Sequence, residues 1–218
     1  MFRILIVEDM DVVLQMLKER VAEDLPEALV EVALNVQDAR ESVERACESG
    51  KLYDAVVLDF KLPESAGENA ELDESLCEDV GLLMPDAVVA HLSAFMEDGK
   101  VLEHMKRAHD QNVDRSLRFS KLDVTWPEQL VGKLRTFLYG ARVESKLNKF
   151  VPRGDALASS GSKRDRLGEI GGSLTHELAS LQREIAAHWS DYDDKLKARI
   201  ERNFDITLHG DRMIVTVR

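Results

Sequence analysis

The sequence predicts a doubly wound α/β domain followed by a helical segment, and three features of its 218 residues point there. Over the first 140 residues, short apolar runs alternate with amphipathic stretches, the pattern of βαβ units that assemble a parallel sheet. Val56, Val57 and Leu58 are apolar in unbroken succession, as a central strand covered on both faces requires. From residue 167 onward the apolar positions recur every three or four residues, the helical period.

Strands are expected at Arg3 to Val7, Leu29 to Leu34, Ala55 to Asp59, Ala87 to Leu92 and Ser116 to Phe119. Helices are expected near 11–23, 38–49, 72–84, 97–109 and 127–141. Five strands and five helices in strict alternation make a doubly wound, five-stranded parallel sheet. The stretch VPRGDALASSGSKRDR, residues 151–166, has the Gly, Ser and charge content of a linker. The expected organisation is a first domain over 1–145, a linker over 146–166 and a helical segment over 167–218. Within that segment Leu167, Ile170, Leu174, Leu178, Leu181, Ile185, Trp189, Tyr192, Leu196, Ile200 and Phe204 trace one long amphipathic helix or a helical hairpin, with Ser190 and Asp193 placed to cap a second helix. The closing ITLHGDRMIVTVR reads as a β-hairpin turning at His209-Gly210-Asp211.

The net charge of −12 is uneven: residues 151–218 hold 11 basic and 11 acidic side chains, so the surplus sits entirely in residues 1–150, with 18 against 30. A DNA-binding module needs a basic face to neutralise phosphates, and neither part offers one, so no DNA partner is expected. No apolar run approaches the ~20 residues of a membrane span, and the start MFRILIVEDM lacks the features of a signal peptide. A cytoplasmic location is the expectation. Cys47 and Cys77 have no CxxC spacing, which indicates neither a disulfide framework nor a zinc site.

In open α/β sheets, ligands gather at the carboxyl ends of the strands. Those ends bring Glu8 and Asp9, Asp59, Ser93 and Lys121 to one rim. Three carboxylates in one cleft repel unless a cation intervenes, and a hard oxygen donor set of this kind suits Mg²⁺. Such a rim fits phosphoryl transfer to a carboxylate, in which positioning and charge neutralisation supply most of the catalysis. Asp59 would be the nucleophile, and Glu8, Asp9 and Asp59 would hold the metal. Lys121 would neutralise one phosphoryl oxygen and the Ser93 hydroxyl would donate to another.

The same residues resemble the receiver domain of bacterial response regulators over roughly 1–145. The matching text is ILIVED, VVLDFKLP with Pro63 four residues and Gly67 eight residues after Asp59, VVAHLSA, and RFSK. The resemblance implies a flavodoxin-like receiver fold, autophosphorylation and autodephosphorylation with Mg²⁺ but no other enzymatic activity, and a sensor histidine kinase or phosphotransfer protein as phosphodonor. Three departures stand out. Leu122 follows Lys121 where the family usually has proline, Arg118 lies three residues before Lys121 where a switch aromatic is usual, and the intervals from Asp59 to Ser93 and from Ser93 to Lys121 are longer than usual.

A second, shorter likeness lies in RLGEIGGSLTHELASL, which resembles the phosphoacceptor box of sensor kinases at His176, Glu177 and Leu178. It implies a histidine able to exchange phosphate, although the kinase box's proline and a nucleotide-binding domain are missing and His176 lies off the apolar stripe. His91, His104 and His109 have no partners at metal-ligand spacing and read as structural or solvated. Leu174, Leu178, Leu181, Ile185, His188 and Tyr192 follow a coiled-coil alternation, so a homodimer through residues 167–204 is expected, the contrasting reading being a partner-recognition helix. Three functional expectations stand together: a response regulator signalling through protein contacts, a phosphorelay protein also using His176, and a pseudo-receiver scaffold.

Overall fold

Each apolar run of the first part becomes a strand of one parallel sheet in the computed structural model, which describes residues 1–68, 71–72, 75–95, 99, 103, 116–150, 172–209 and 212–217. The strands are β1 (Phe2–Val7), β2 (Ala28–Ala33), β3 (Ala55–Asp59), β6 (Val88–Ser93) and β7 (Ser116–Ser120). Every bound lies within one residue of the sequence expectation. Their order is β2-β1-β3-β6-β7, with all neighbours parallel. That order is the flavodoxin-like doubly wound arrangement, and its switch point falls between β1 and β3. A two-residue antiparallel ladder, β4 (Lys61–Leu62) with β5 (Glu71–Leu72), interrupts the path from β3 to the next helix.

The helices of this part are α1 (Asp11–Asp24), α2 (Val36–Glu48), α3 (Ser75–Leu83) and the start of α4 (Trp126–Phe150). Helix α2 begins two residues before the expected start because Asn35 caps it, accepting from the Asp38 amide at 2.8 Å and donating back to the Asp38 carboxylate at 2.7 Å. It ends at Glu48, and Gly50, just past the Ser49 cap, adopts φ +65°, which is open to glycine at little cost. Of the expected helix over 72–84, Ser75–Leu83 is helical, whereas Leu72 pairs with Lys61 in the β4-β5 ladder. The expected helix over 97–109 falls almost entirely outside the described residues.

Side chains alternate across the sheet, so Leu5, Val7, Val56, Leu58 and Val89 meet Val43 of α2, Leu76 and Val80 of α3 and Met84 just beyond it in one core. Ile4, Ile6 and Val57 turn the other way, where Leu17 and Val21 of α1 and Leu130 and Leu134 of α4 are fully buried. Both faces of β3 are thereby dry, which accounts for its unbroken apolar text.

The chain divides into two compact units, residues 1–135 and 136–218, and the division falls inside α4. This corrects two boundaries: residues 146–150, expected to begin the linker, are helical, and α4 runs nine residues past its expected end at 141. The remainder of the expected linker, 151–166, lies outside the described residues. The second unit contains α5 (Gly172–His188), a 3₁₀ turn at Trp189–Asp191, α6 (Asp194–Glu201) and the hairpin β8 (Phe204–His209) with β9 (Arg212–Val217). The break between α5 and α6 is made by Asp193, which caps α6 by accepting from the Leu196 amide at 2.7 Å.

Leu181, Ile185 and Tyr192 of the expected coiled-coil seam are buried within the chain, as are Leu196, Ile200 and Phe204 and, from α4, Leu138, Val143 and Leu147. Glu184 receives Arg142 and Lys146, and the Tyr139 and His188 rings stack at 3.6 Å. The Gln182 amide donates to the Val215 carbonyl at 2.9 Å and ties the hairpin to α5. These six positions of the stripe are therefore covered within one chain.

Replacing Ile185 by alanine should cost about 2–5 kcal/mol, the usual range for emptying a fully buried branched site. Chemical denaturation monitored at several protein concentrations checks the origin of that burial. A loss independent of concentration is expected, whereas one that shrinks as concentration rises would place the partner surface on a second chain.

Candidate functional site

The register of the sheet brings the polar residues together. Val7 is level with Leu58, so Glu8 and Asp59, each one residue further, emerge side by side at the switch point. Asp59 is level with Leu92, and Ser93 with Ser120, so Ser93 and Lys121 follow in turn along the same rim. Backbone bonds hold this edge: the Phe60 amide donates to the Leu92 carbonyl at 3.0 Å, and the Lys121 amide to the Ser93 carbonyl at 2.9 Å.

The centre of the site is the Lys121 ammonium. It donates to Glu8 Oε2 and to Asp59 Oδ2, each at 2.7 Å, although it comes from a strand two places away from β3. The remaining carboxylate oxygens are occupied as well, Glu8 Oε1 accepting from the Met10 amide at 3.2 Å and Asp59 Oδ1 from the Phe60 amide at 2.7 Å. Glu8 is 0% exposed and Asp59 8%, whereas Asp9 is open to solvent. Glu8, Asp9 and Asp59 each offer an oxygen, and these atoms lie within 4.8 Å of one another. Lys121 is bonded to two of these three clustered carboxylates, Glu8 and Asp59, so one cationic charge faces three acidic groups. That excess of negative charge on hard oxygen donors fits a divalent cation.

Burial pushes the Glu8 carboxyl up from 4.5 to about 7, and the charge of Asp59 adds to the rise while Lys121 and the Met10 amide oppose it. Burial raises Asp59 too, against Lys121 and the Phe60 amide. For Lys121, burial pulls the ammonium down, but Asp59 and Glu8 outweigh it and hold it above its ordinary value. The site keeps its lysine charged and resists charging Glu8.

Ser93 is buried, and its hydroxyl oxygen accepts from the Phe95 amide at 2.9 Å, which leaves its own proton to donate. Thus Glu8, Asp9 and Asp59 cluster, Lys121 bridges two of them, and Ser93 takes the neighbouring strand end. The peptide after Lys121 is trans, so the lysine reaches both carboxylates without the proline of the family pattern. Gly67 adopts φ +91°, a conformation that a side chain would strain.

His176 belongs to the second unit, exposed near the start of α5. His91 is fully buried on β6, with Nε2 3.8 Å from the Cys77 sulfur. Burial, with Glu78, pushes that thiol up to about 11, so the pair is packing and not a reactive thiolate. His104 and His109 lie outside the described residues. The Met10 and Phe60 amides carry no sequence signal, since their positions follow only from the turns after β1 and β3. Lys61, whose ammonium lies 3.7 Å from the Phe95 ring centre, carries no signal of that contact either.

No protein-family model matches the chain, and no curated protein does. Solved structures do resemble it. The BeF3-activated receiver domain of DrrB shares 21% identity, over 63% of this chain and 97% of that one, at a TM-score of 0.44. A response regulator receiver domain protein from Clostridium thermocellum shares 17%, over 66% and 99%, at 0.48. The phosphorylated cyanobacterial phytochrome response regulator RcpA shares 17%, over 62% and 92%, at 0.48. All three similar structures are response regulators or their receiver domains.

The raised Glu8 pKa makes a signed prediction. Between 4.5 and about 7 the folded chain holds a proton on Glu8 that the unfolded chain has released, so this group stabilises the fold at the acid end and ceases to as pH rises through about 7. In metal-free buffer the melting temperature of wild type should therefore fall across that window relative to Glu8→Gln. Parallel profiles for the two proteins would show that Glu8 ionises normally.

Proposed function

We propose that the first unit is the receiver of a two-component response regulator, accepting a phosphoryl group on Asp59. The observation that supports this best is the Lys121 ammonium, 2.7 Å from both Glu8 and Asp59 at the switch point of a doubly wound sheet. A bare carboxylate repels an incoming phosphoryl group, and the rim supplies what lessens that repulsion.

In the proposed reaction an Asp59 oxygen attacks phosphorus, a P–O bond forms, and the bond from phosphorus to the donor's nitrogen or oxygen breaks with its electron pair leaving on the donor. The Phe60 amide holds Asp59 Oδ1 in place, which leaves Oδ2, now shared only with Lys121, as the attacking atom. Lys121 would transfer part of its hydrogen bonding from Asp59 to a phosphoryl oxygen. The Ser93 hydroxyl would donate to a second oxygen, since its own oxygen is already satisfied by the Phe95 amide. Glu8, Asp9 and Asp59 would hold Mg²⁺, which supplies charge neutralisation for the remaining phosphoryl oxygen.

The phosphodonor on this reading is a sensor histidine kinase or phosphotransfer protein. Exposed apolar side chains beside the rim support a protein donor: Met10 and Val12 follow Asp9, and Leu122 and Val124 follow Lys121, with Val12 80% and Val124 93% exposed. Large apolar groups left in water beside a reactive cleft favour a protein contact. No helix among the described residues is long and apolar enough to cross a membrane. A second reading, exchange of phosphate with His176, is favoured by the exposure of that imidazole beside Glu177 on α5.

Intact-mass analysis with Mg²⁺ and acetyl phosphate tests the reading. Wild type and His176→Ala should gain one phosphoryl group, Asp59→Ala none, and Lys121→Ala should be slowed on the order of 10²-fold, the usual effect of removing one charge-stabilising donor. Labelling of Asp59→Ala, or none of wild type even with a histidine-phosphorylated donor, would reduce the rim to a scaffold. Loss of onward transfer in His176→Ala, with Asp59 still labelled, would establish the relay. Mg²⁺ should also raise the melting temperature of wild type but not of Asp9→Ala, because a ligand stabilises only the state that binds it.

A further inference from the structure

We infer that Lys61 and Phe95 are positioning residues for the Ser93 hydroxyl, an assignment that rests on the receiver reading and adds a second tier to its site. The two residues are equivalent in place: Lys61 stands two residues beyond Asp59, where β3 leaves the rim, and Phe95 two residues beyond Ser93, where β6 leaves it. Thirty-four positions separate them in sequence, yet the Lys61 ammonium lies 3.7 Å from the centre of the Phe95 ring. That is well inside the ~6 Å within which a cation is attracted to an aromatic face.

The contact has no role in covering the core. Phe95 is 49% exposed, so burial alone does not hold the ring where it is. Its backbone amide, however, donates to Ser93 Oγ at 2.9 Å, a local turn that selects one side-chain rotamer of the serine. A serine in such a turn accepts through its oxygen and has only its own proton to give. The direction of that proton decides whether it reaches a phosphoryl oxygen or points elsewhere. Fixing the Phe95 backbone fixes the hydroxyl, and the Lys61 contact restrains a residue that packing leaves loose.

The opposite end of Ser93 is held separately, its carbonyl accepting from the Lys121 amide at 2.9 Å. Ser93 is thus tied to the catalytic lysine through its backbone and to the Lys61–Phe95 pair through its side chain. The family's usual aromatic, three residues before the lysine, is replaced here by the exposed Arg118. Phe95 supplies an exposed aromatic at the rim from a different strand.

Two readouts test the assignment. The first needs no phosphodonor: hydrogen exchange at the Phe95 amide should quicken at least several-fold in Lys61→Met and stay near wild type in Lys61→Arg, which keeps the cation. The second is the rate of Asp59 labelling by acetyl phosphate. Lys61→Met and Phe95→Leu should each slow it about 3- to 10-fold, Phe95→Trp should restore it, and in a Ser93→Ala background Lys61→Met should have no further effect. An unchanged Phe95 amide in Lys61→Met, or a Lys61→Met defect that persists in full without the Ser93 hydroxyl, overturns the positioning role while leaving Asp59 chemistry intact. Failure of wild type to label removes the receiver reading instead, and the exchange experiment then decides the Lys61–Phe95 coupling by itself.

Discussion

The first unit depends on one ammonium group placed between two carboxylates. Glu8 has no solvent exposure and Asp59 almost none, and two such groups side by side in a dry setting would have to take up protons or be forced apart. Lys121 answers both charges at 2.7 Å. A buried ion triad of this kind is a weak source of net stability, because desolvation consumes most of the Coulombic gain. Its retention is better understood as a constraint on geometry. The sheet must deliver residue 121 to residues 8 and 59, and the order β2-β1-β3-β6-β7, with its register, is the arrangement that does so.

The second unit solves a different problem with the same chain. An amphipathic helix of 17 residues, α5, cannot cover its own apolar face. The unit covers it by prolonging α4 past the first core, so that Leu138, Val143 and Leu147 serve a second one. Polar contacts follow the same path, with Arg142 and Lys146 paired to Glu184, Arg199 paired to Glu144, and Arg199 also donating to the Asn148 side-chain oxygen. Asp193 then ends one helix and starts another, which turns the chain into the hairpin that Gln182 secures.

The strands and the rim were legible for a common physical reason. A strand covered on both faces must be written in apolar residues, and the first polar residue after each run marks the sheet's edge, so Glu8, Asp59 and Ser93 identify themselves by where apolar text stops, and Lys121 follows one residue beyond Ser120. Helix α4 was underread because the sequence turns polar at Lys146, Asn148 and Lys149, while Val143 and Leu147 hold it in place through partners more than 30 residues away. The apolar stripe after residue 167 shows that burial is needed without showing by whom. Spacing is the same for a dimer seam and for an intrachain core. The β4-β5 ladder and the Lys61–Phe95 contact depend on how one long connection folds back, and no local periodicity encodes that. At the site itself, the backbone donors from Met10 and Phe60 were invisible because an amide has no sequence letter.

The charge count of the rim gives its chemistry a direction. With Asp59 free, Lys121 faces two carboxylates, one of which resists ionisation. Phosphorylation would replace the single charge of Asp59 by roughly 1.5 to 2 negative charges on oxygens that extend beyond the carboxyl group. The demand on Lys121 rises and its centre moves outward, away from Glu8. Lys121 is fixed to Ser93 through the backbone bond from its amide, and Ser93 would itself be drawn toward the new acceptors, so the same event would pull on the ends of β6 and β7 together. Both strand ends are bonded as neighbours, Ser93 level with Ser120, and neither can shift without the other. On the proposed function, a charge added to β3 would in this way be converted into a displacement of the two strands beyond it, with the lysine that bridges the acidic pair at rest as the lever.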